Sequence, residues 1–183
     1  MKANRKRIQE NIEALSNFND TPGNGITRFS YGENDLKARK YLINIFEELG
    51  LKVRTDSIGN IFARYEGNTP NLPVVMTGSH IDSVKNGGRF DGIVGVVGAL
   101  EAVRVMIENH YKPNHPIEIA IFAEEEGSNF QVPVVGSKVL VGKLKIEDIK
   151  TIRNRKGQSV YDLVKAAGYT PDGIAEDLLK KGD

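Results

Sequence analysis

Two short stretches hold residue types that could do chemistry together: His80, Asp82 and Asp91 in "TGSHIDSVKNGGRFDG", and Glu124, Glu125 and Glu126 in "IAIFAEEEGSNF". An imidazole with several carboxylates is a nitrogen-and-oxygen donor set that suits zinc, manganese or cobalt. One carboxylate can bridge two cations, and another beside a ligand but left free can act as general base on water. Asp82, two residues from His80, can accept the spare imidazole N–H and fix the tautomer. Singly, each feature has a plainer reading: a hydrogen-bonded loop histidine, and a solvated run of acids. Together they are harder to dismiss, because stacked carboxylates repel unless a cation holds them.

The elements that would position these residues are legible in the apolar pattern. The run from Leu72 to Met76 predicts a strand over 72–78, the run from Ile93 to Met106 a helix over 92–109, and "PIEIAIFA" a buried strand. That order is one parallel strand–helix–strand crossover, and ligands bind outside the carboxyl ends of such strands. Both clusters sit at those ends and are expected to meet. On an extended backbone Glu125 and Glu126 would point to opposite sides and take different roles. Gly92, Gly95 and Gly98 read as close packing of the helix on the sheet; a phosphate cradle is disfavoured because no Lys-Ser or Lys-Thr follows.

Ahead of the crossover, Ile8, Ile12, Leu15 and Phe18 recur at helical spacing, predicting an amphipathic helix docked on the body. After it "NDTPGNGITRFSYGEN" reads as a turn-rich linker, with Asn34 or Asp35 capping a second helix that Gly50 ends. "LKVRTDS" and "NIFARYEG" predict a hairpin about "IGN". "VPVVGSKVLVGKL" mixes strand-like and helical signals, and "SVYDLVKAAG" and "DGIAEDLLKK" read as short helices, the last opened by Pro171. His110 and His115, at a helix end and a strand start, are given structural roles.

The 183 residues carry 25 Lys and Arg against 24 Asp and Glu, a formal net charge of +1, so no long-range field draws nucleic acid or an anionic membrane. With 39% hydrophobic and 27% charged residues the chain can bury a core as one domain, residues 1–183. The absence of Cys excludes disulfides, thiolate metal sites and Cys nucleophiles, and fits a cytoplasmic location. No apolar run approaches the length of a membrane span.

"TGSHIDSVKNGGRFDG", "IAIFAEEEGSNF", "VGSK" and the upstream "GITRFSYGENDLKARKYLINIFEELGLKVRTDSIGNIFARYEG" together resemble the amidohydrolase branch of the dinuclear zinc-peptidase superfamily. That branch holds N-carbamoyl-L-amino acid hydrolases, allantoate amidohydrolases and ureidoglycolate amidohydrolases. The short separation of His80 from Asp91 resembles this branch rather than the related peptidases, and an aminopeptidase-type member is the alternative. The resemblance implies an α/β, three-layer catalytic domain with a mostly parallel central sheet, ending before the family's inserted dimerisation domain. It also implies two divalent metal ions, with His80 on one, Asp91 bridging, Glu126 on the other, Glu125 as general base and Asp82 behind His80. The implied substrate is a small ureido or carbamoyl compound, hydrolysed at a C–N bond with release of ammonia or a carbamate. Asn129 stands where the family pattern "EEGSRF" has Arg. The family's two further His ligands and its homodimer contacts are expected to fall outside this chain, leaving a catalytically incomplete piece prone to self-association.

Overall fold

A computed structural model describes residues 1–180. In chain order the elements are α1 (Arg5–Ser16), α2 (Glu33–Glu48), β1 (Lys52–Thr55), β2 (Ile61–Tyr65), β3 (Val75–His80), α3 (Ile93–Glu108), β4 (Ile117–Phe122), α4 (Val135–Leu140), α5 (Ile146–Thr151) and α6 (Val160–Ala166). A single 3-10 turn, Pro171–Gly173, follows.

The strand order is β1-β2-β4-β3. β3 and β4 run parallel, Val75 opposite Ile117 through His80 opposite Phe122. The β1–β2 and β2–β4 pairs are antiparallel. Among the described residues the sheet is therefore mixed rather than mostly parallel. The reason is local: the short turn at Asp56–Asn60 can only return the chain antiparallel. Asp56 holds that turn, its carboxylate accepting the amides of Ile58 and Asn60 and the side chain of Asn60.

Alternation along the two interior strands divides the core. Ile61, Ala63, Ile119 and Ile121 face α1, α2 and α3, where they bury with Leu15, Leu42, Phe46, Val96 and Leu100. Phe62 and Ala120 face the other way, against Leu140 of α4. A further cluster at the carboxyl ends of the strands joins Ile58, Ala123 and Phe130 to α4, α5 and α6.

α1 docks as its periodicity requires, on α3, with Arg7 pairing to Glu101 and Glu108. Gly50, in the left-handed region, closes α2 with the paired bonds from Gly50 N to Glu47 O and from Leu51 N to Phe46 O. The start of α2 differs from the reading. Gly32 is the cap, while Asp35 lies in the first turn and reaches back to accept the Tyr31 amide. The segment read as a linker turns inward over its second half, with Ile26, Thr27, Arg28 and Ser30 buried. β3 runs two residues further than expected and begins later, because Pro73 cannot donate to the ladder. The last expected helix is reduced to the 3-10 turn, and its final residue lies outside the described residues.

Candidate metal centre

His80 is the last residue of β3 and is buried, not part of the loop that follows. Gly92, at the start of α3 with φ 68°, lies against it: a Cβ there would meet His80 O at 2.5 Å and the ring Cε1 at 2.6 Å. Gly95 similarly lets α3 approach Ser79, whereas Gly98 faces open space, so two of the three glycines serve packing.

The ring of His80 is oriented from behind. Its Nδ1 lies 3.0 Å from the carbonyl of Asp82 and 3.5 Å from that residue's carboxylate. Its Nε2 is left toward the cleft, 3.4 Å from Glu125 Oε2 and 3.9 Å from Asp91 Oδ1. Burial opposes charge on the imidazole, but the hydrogen bond and charge of Asp82, with the charge of Glu125, outweigh it and raise His80 to about 9.

Asp82 does a second thing that spacing did not disclose. Its two carboxylate oxygens accept the amides of Glu125, at 3.3 Å, and Glu126, at 3.1 Å. The β3 loop thus grips the β4 loop directly. The three glutamates do not alternate on an extended strand, because Glu124 has φ 49° and turns the chain. Glu124 is itself buried, its Oε1 accepting the amides of Asn129 and Phe130 and its own amide donating to Ser30 Oγ. Burial and the charge of Asp82 raise its carboxyl to about 8. Burial also raises Glu126, helped by Asp91, Asp82 and Glu125 and opposed by His80. Buried Arg28 braces the whole loop, its Nε donating to Ile81 O at 2.7 Å. Nothing in the sequence marked Arg28 or Glu124 for these tasks.

The structure therefore brings His80, Asp82, Asp91 and Glu125 together and places Glu126 beside them. His115 lies apart, its Nδ1 at 2.8 Å from Pro73 O, and His110 ends its turn with φ 53°. Among the described residues no group of three or more His, Asp or Glu side chains converges in metal-holding geometry. In kind, the donors fit a divalent cation. The carboxylates of Asp91, Glu125 and Glu126 have no Lys or Arg ion pair among the described residues, and the 3.9 Å gap from His80 to Asp91 is under twice a zinc–ligand bond of about 2.0–2.2 Å.

The sequence pattern of Peptidase family M28 matches residues 60–162, more than half of the chain and all of this site. The chain belongs to that family. Several of the relatives it resembles are named amidohydrolases. Ureidoglycolate hydrolase of Arabidopsis thaliana is 39% identical over 180 residues, 96% of this chain and 38% of the relative. N-carbamoyl-L-amino-acid amidohydrolase of Paenarthrobacter aurescens is 42% identical over 170 residues, 93% of this chain and 41% of the relative. The crystal structure of AtUAH in complex with (S)-hydroxyglycine superposes with a TM-score of 0.93 at 36% identity, over 100% of this chain and 44% of that one. The α/β fold with its open mixed sheet is that of the zinc-peptidase-like catalytic domain. The chain spans about two fifths of the length of these relatives. The family is one of metal-dependent hydrolases. No helix among the described residues is long and apolar enough to cross a membrane.

Proposed function

We propose that residues 1–183 form the N-terminal portion of the catalytic domain of a metal-dependent amidohydrolase. Its reaction is hydrolysis of a non-peptide C–N bond in a linear amide, an N-carbamoyl amino acid or a ureido compound such as allantoate, in the cytoplasm. The observation that carries this reading is His80 Nε2 facing Glu125 and Asp91 where two parallel strands end. The names of the relatives support the substrate class.

His80, Asp91 and Glu126 would hold divalent metal, zinc, manganese or cobalt, with Asp91 shared between two ions. Bound there, the metal would polarise the carbonyl and acidify water. Asp82 keeps the His80 ring turned so that Nε2 is the donor, and it fixes the backbone of both glutamates. Glu125, half-exposed beside His80, takes the proton from the attacking water and returns it to the departing nitrogen. Its carboxylate is reachable from solvent and held by no cation other than His80 among the described residues.

Because no three donors converge among the described residues, we infer that they supply only part of the metal shell. The 183-residue chain alone is expected to bind zinc or manganese weakly and to release no measurable ammonia from N-carbamoyl amino acids or allantoate. In a chain that turns over, Glu125→Gln is expected to keep its metal by elemental analysis and to lose roughly a hundredfold or more in kcat. Full metal content with near-normal kcat would sink the assignment of the base. Tight binding of two metals with turnover by the 183-residue monomer would sink the inference of an incomplete shell; a self-associating form, with β3 exposed at the sheet edge, is the companion expectation to check by light scattering.

A further inference from the structure

A cleft of about 640 Å³ opens on the same carboxyl-end side of the fold, lined by none of His80, Asp91, Glu125 or Glu126. Three exposed cations line it, Lys85 from the loop after β3 and Arg155 and Lys156 from the turn before α6. Their side chains make no ion pair or hydrogen bond among the described residues. The one acid in the lining, Asp20, already accepts from Asn34 Nδ2 at 2.6 Å.

Both loops that carry these cations are held by hydrogen bonds. Asn154 Oδ1 accepts the amides of Lys156 at 2.9 Å and Gln158 at 3.0 Å, and Gly157 N donates to Asn154 O. In the loop after β3, the Asn86 amide donates to Thr27 Oγ1 at 2.9 Å, and Ile26 and Gly87 exchange both backbone bonds. With the loop backbones already held, the freedom lost when a ligand arrives is confined to the cationic side chains.

We propose that this cleft is a binding site for a small molecule bearing two or more negative charges, a phosphate or a dicarboxylate, separate from the metal centre. The three cations recognise the anion by charge-assisted hydrogen bonds, with the Arg155 guanidinium able to bind two oxygens at once. Ser30 and Asn129, which line the cleft, also hold Glu124, so a ligand there touches the turn carrying Glu125 and Glu126.

The test is titration of the isotope-labelled 183-residue chain with inorganic phosphate and, separately, with succinate, at constant ionic strength, following backbone amide shifts. Saturable shifts at 85–86, 128–129 and 154–158 are expected with at least one of the two, and the stronger of them identifies the anion type. In the doubly substituted Arg155→Ala, Lys156→Ala chain the affinity is expected to fall tenfold or more, and in Lys85→Ala measurably. These positions are exposed, so the amide spectrum itself reports that the fold is kept. Lys40→Ala, removing an exposed cation elsewhere, is expected to leave the affinity unchanged. No saturation with either anion, equal affinity in the cleft variants, or an equal loss in Lys40→Ala would each overturn the proposal.

Discussion

Asp82 shows how much one carboxylate can be asked to do. It turns the His80 ring and accepts the amides of Glu125 and Glu126. Asp82→Ala removes both tasks. Leaving the two amides without an acceptor is expected to cost roughly 1–3 kcal/mol, and releasing the ring to lower zinc affinity roughly 10–100-fold. Asp82→Asn, with one oxygen left to accept, is expected to be milder on both counts. Thermal melting and zinc titration of the two variants check this, and an unchanged melting temperature in Asp82→Ala would show that the grip on the β4 loop contributes nothing. Spacing announced the partnership with His80 because a single residue separates them. It was silent on Glu125 and Glu126, because that contact joins loops more than forty residues apart.

At the scale of elements, α3 meets β3 through glycines that are not equivalent. Gly92 has a positive φ and touches His80, so Gly92→Ala both strains the backbone and displaces the ring, and it is expected to lower metal affinity and the melting temperature together. Gly98 is helical with open space beyond it, so Gly98→Ala is expected to stabilise the chain by about 0.5–1 kcal/mol without touching metal binding. Calorimetry with zinc titration on both variants separates them; a destabilised Gly98→Ala would mean its surroundings are tighter than the structure shows. The existence of α3, β4 and the β1–β2 hairpin was legible because burial imposes period on apolar residues. Their edges were less so. The cap of α2 depends on Asp35 binding backwards to Tyr31, and the left-handed turn at Glu124 on its amide donating to Ser30 and its carboxylate accepting from Asn129 and Phe130. Such bonds are made only once the elements have assembled.

For the whole molecule, two buried acids set a pH dependence of stability. Glu124 is raised from 4.5 to about 8, by burial first and then by Asp82, and Asp56 from 3.8 to about 6, chiefly by burial. A folded value above the unfolded one means that the fold favours the proton. The stabilisation is complete below the unfolded value and is lost as pH rises through the folded one. For Glu124 the window is about pH 4.5 to 8, and for Asp56 about pH 4 to 6. Glu124→Gln imitates the protonated acid and keeps an acceptor for Asn129 and Phe130. Its melting temperature is expected to match the parent near pH 4.5 and to exceed it increasingly toward pH 8. A difference that does not change with pH would remove Glu124 as the source.

The strand order also governs which amides surrender their hydrogens to heavy water. β4 is bonded on both sides, to β2 and to β3, while β3 has a neighbour on one side only among the described residues. Amides of Ile119 to Ile121 are thus expected to exchange only when the whole chain opens, and the outward amides of Val75 to Ser79 far sooner. The strand that delivers the glutamates is consequently, with β2, among the last parts of the sheet to let go. Thermal fluctuation at the rim can loosen His80 from one side while Glu125 and Glu126 stay anchored to a strand bonded on both sides.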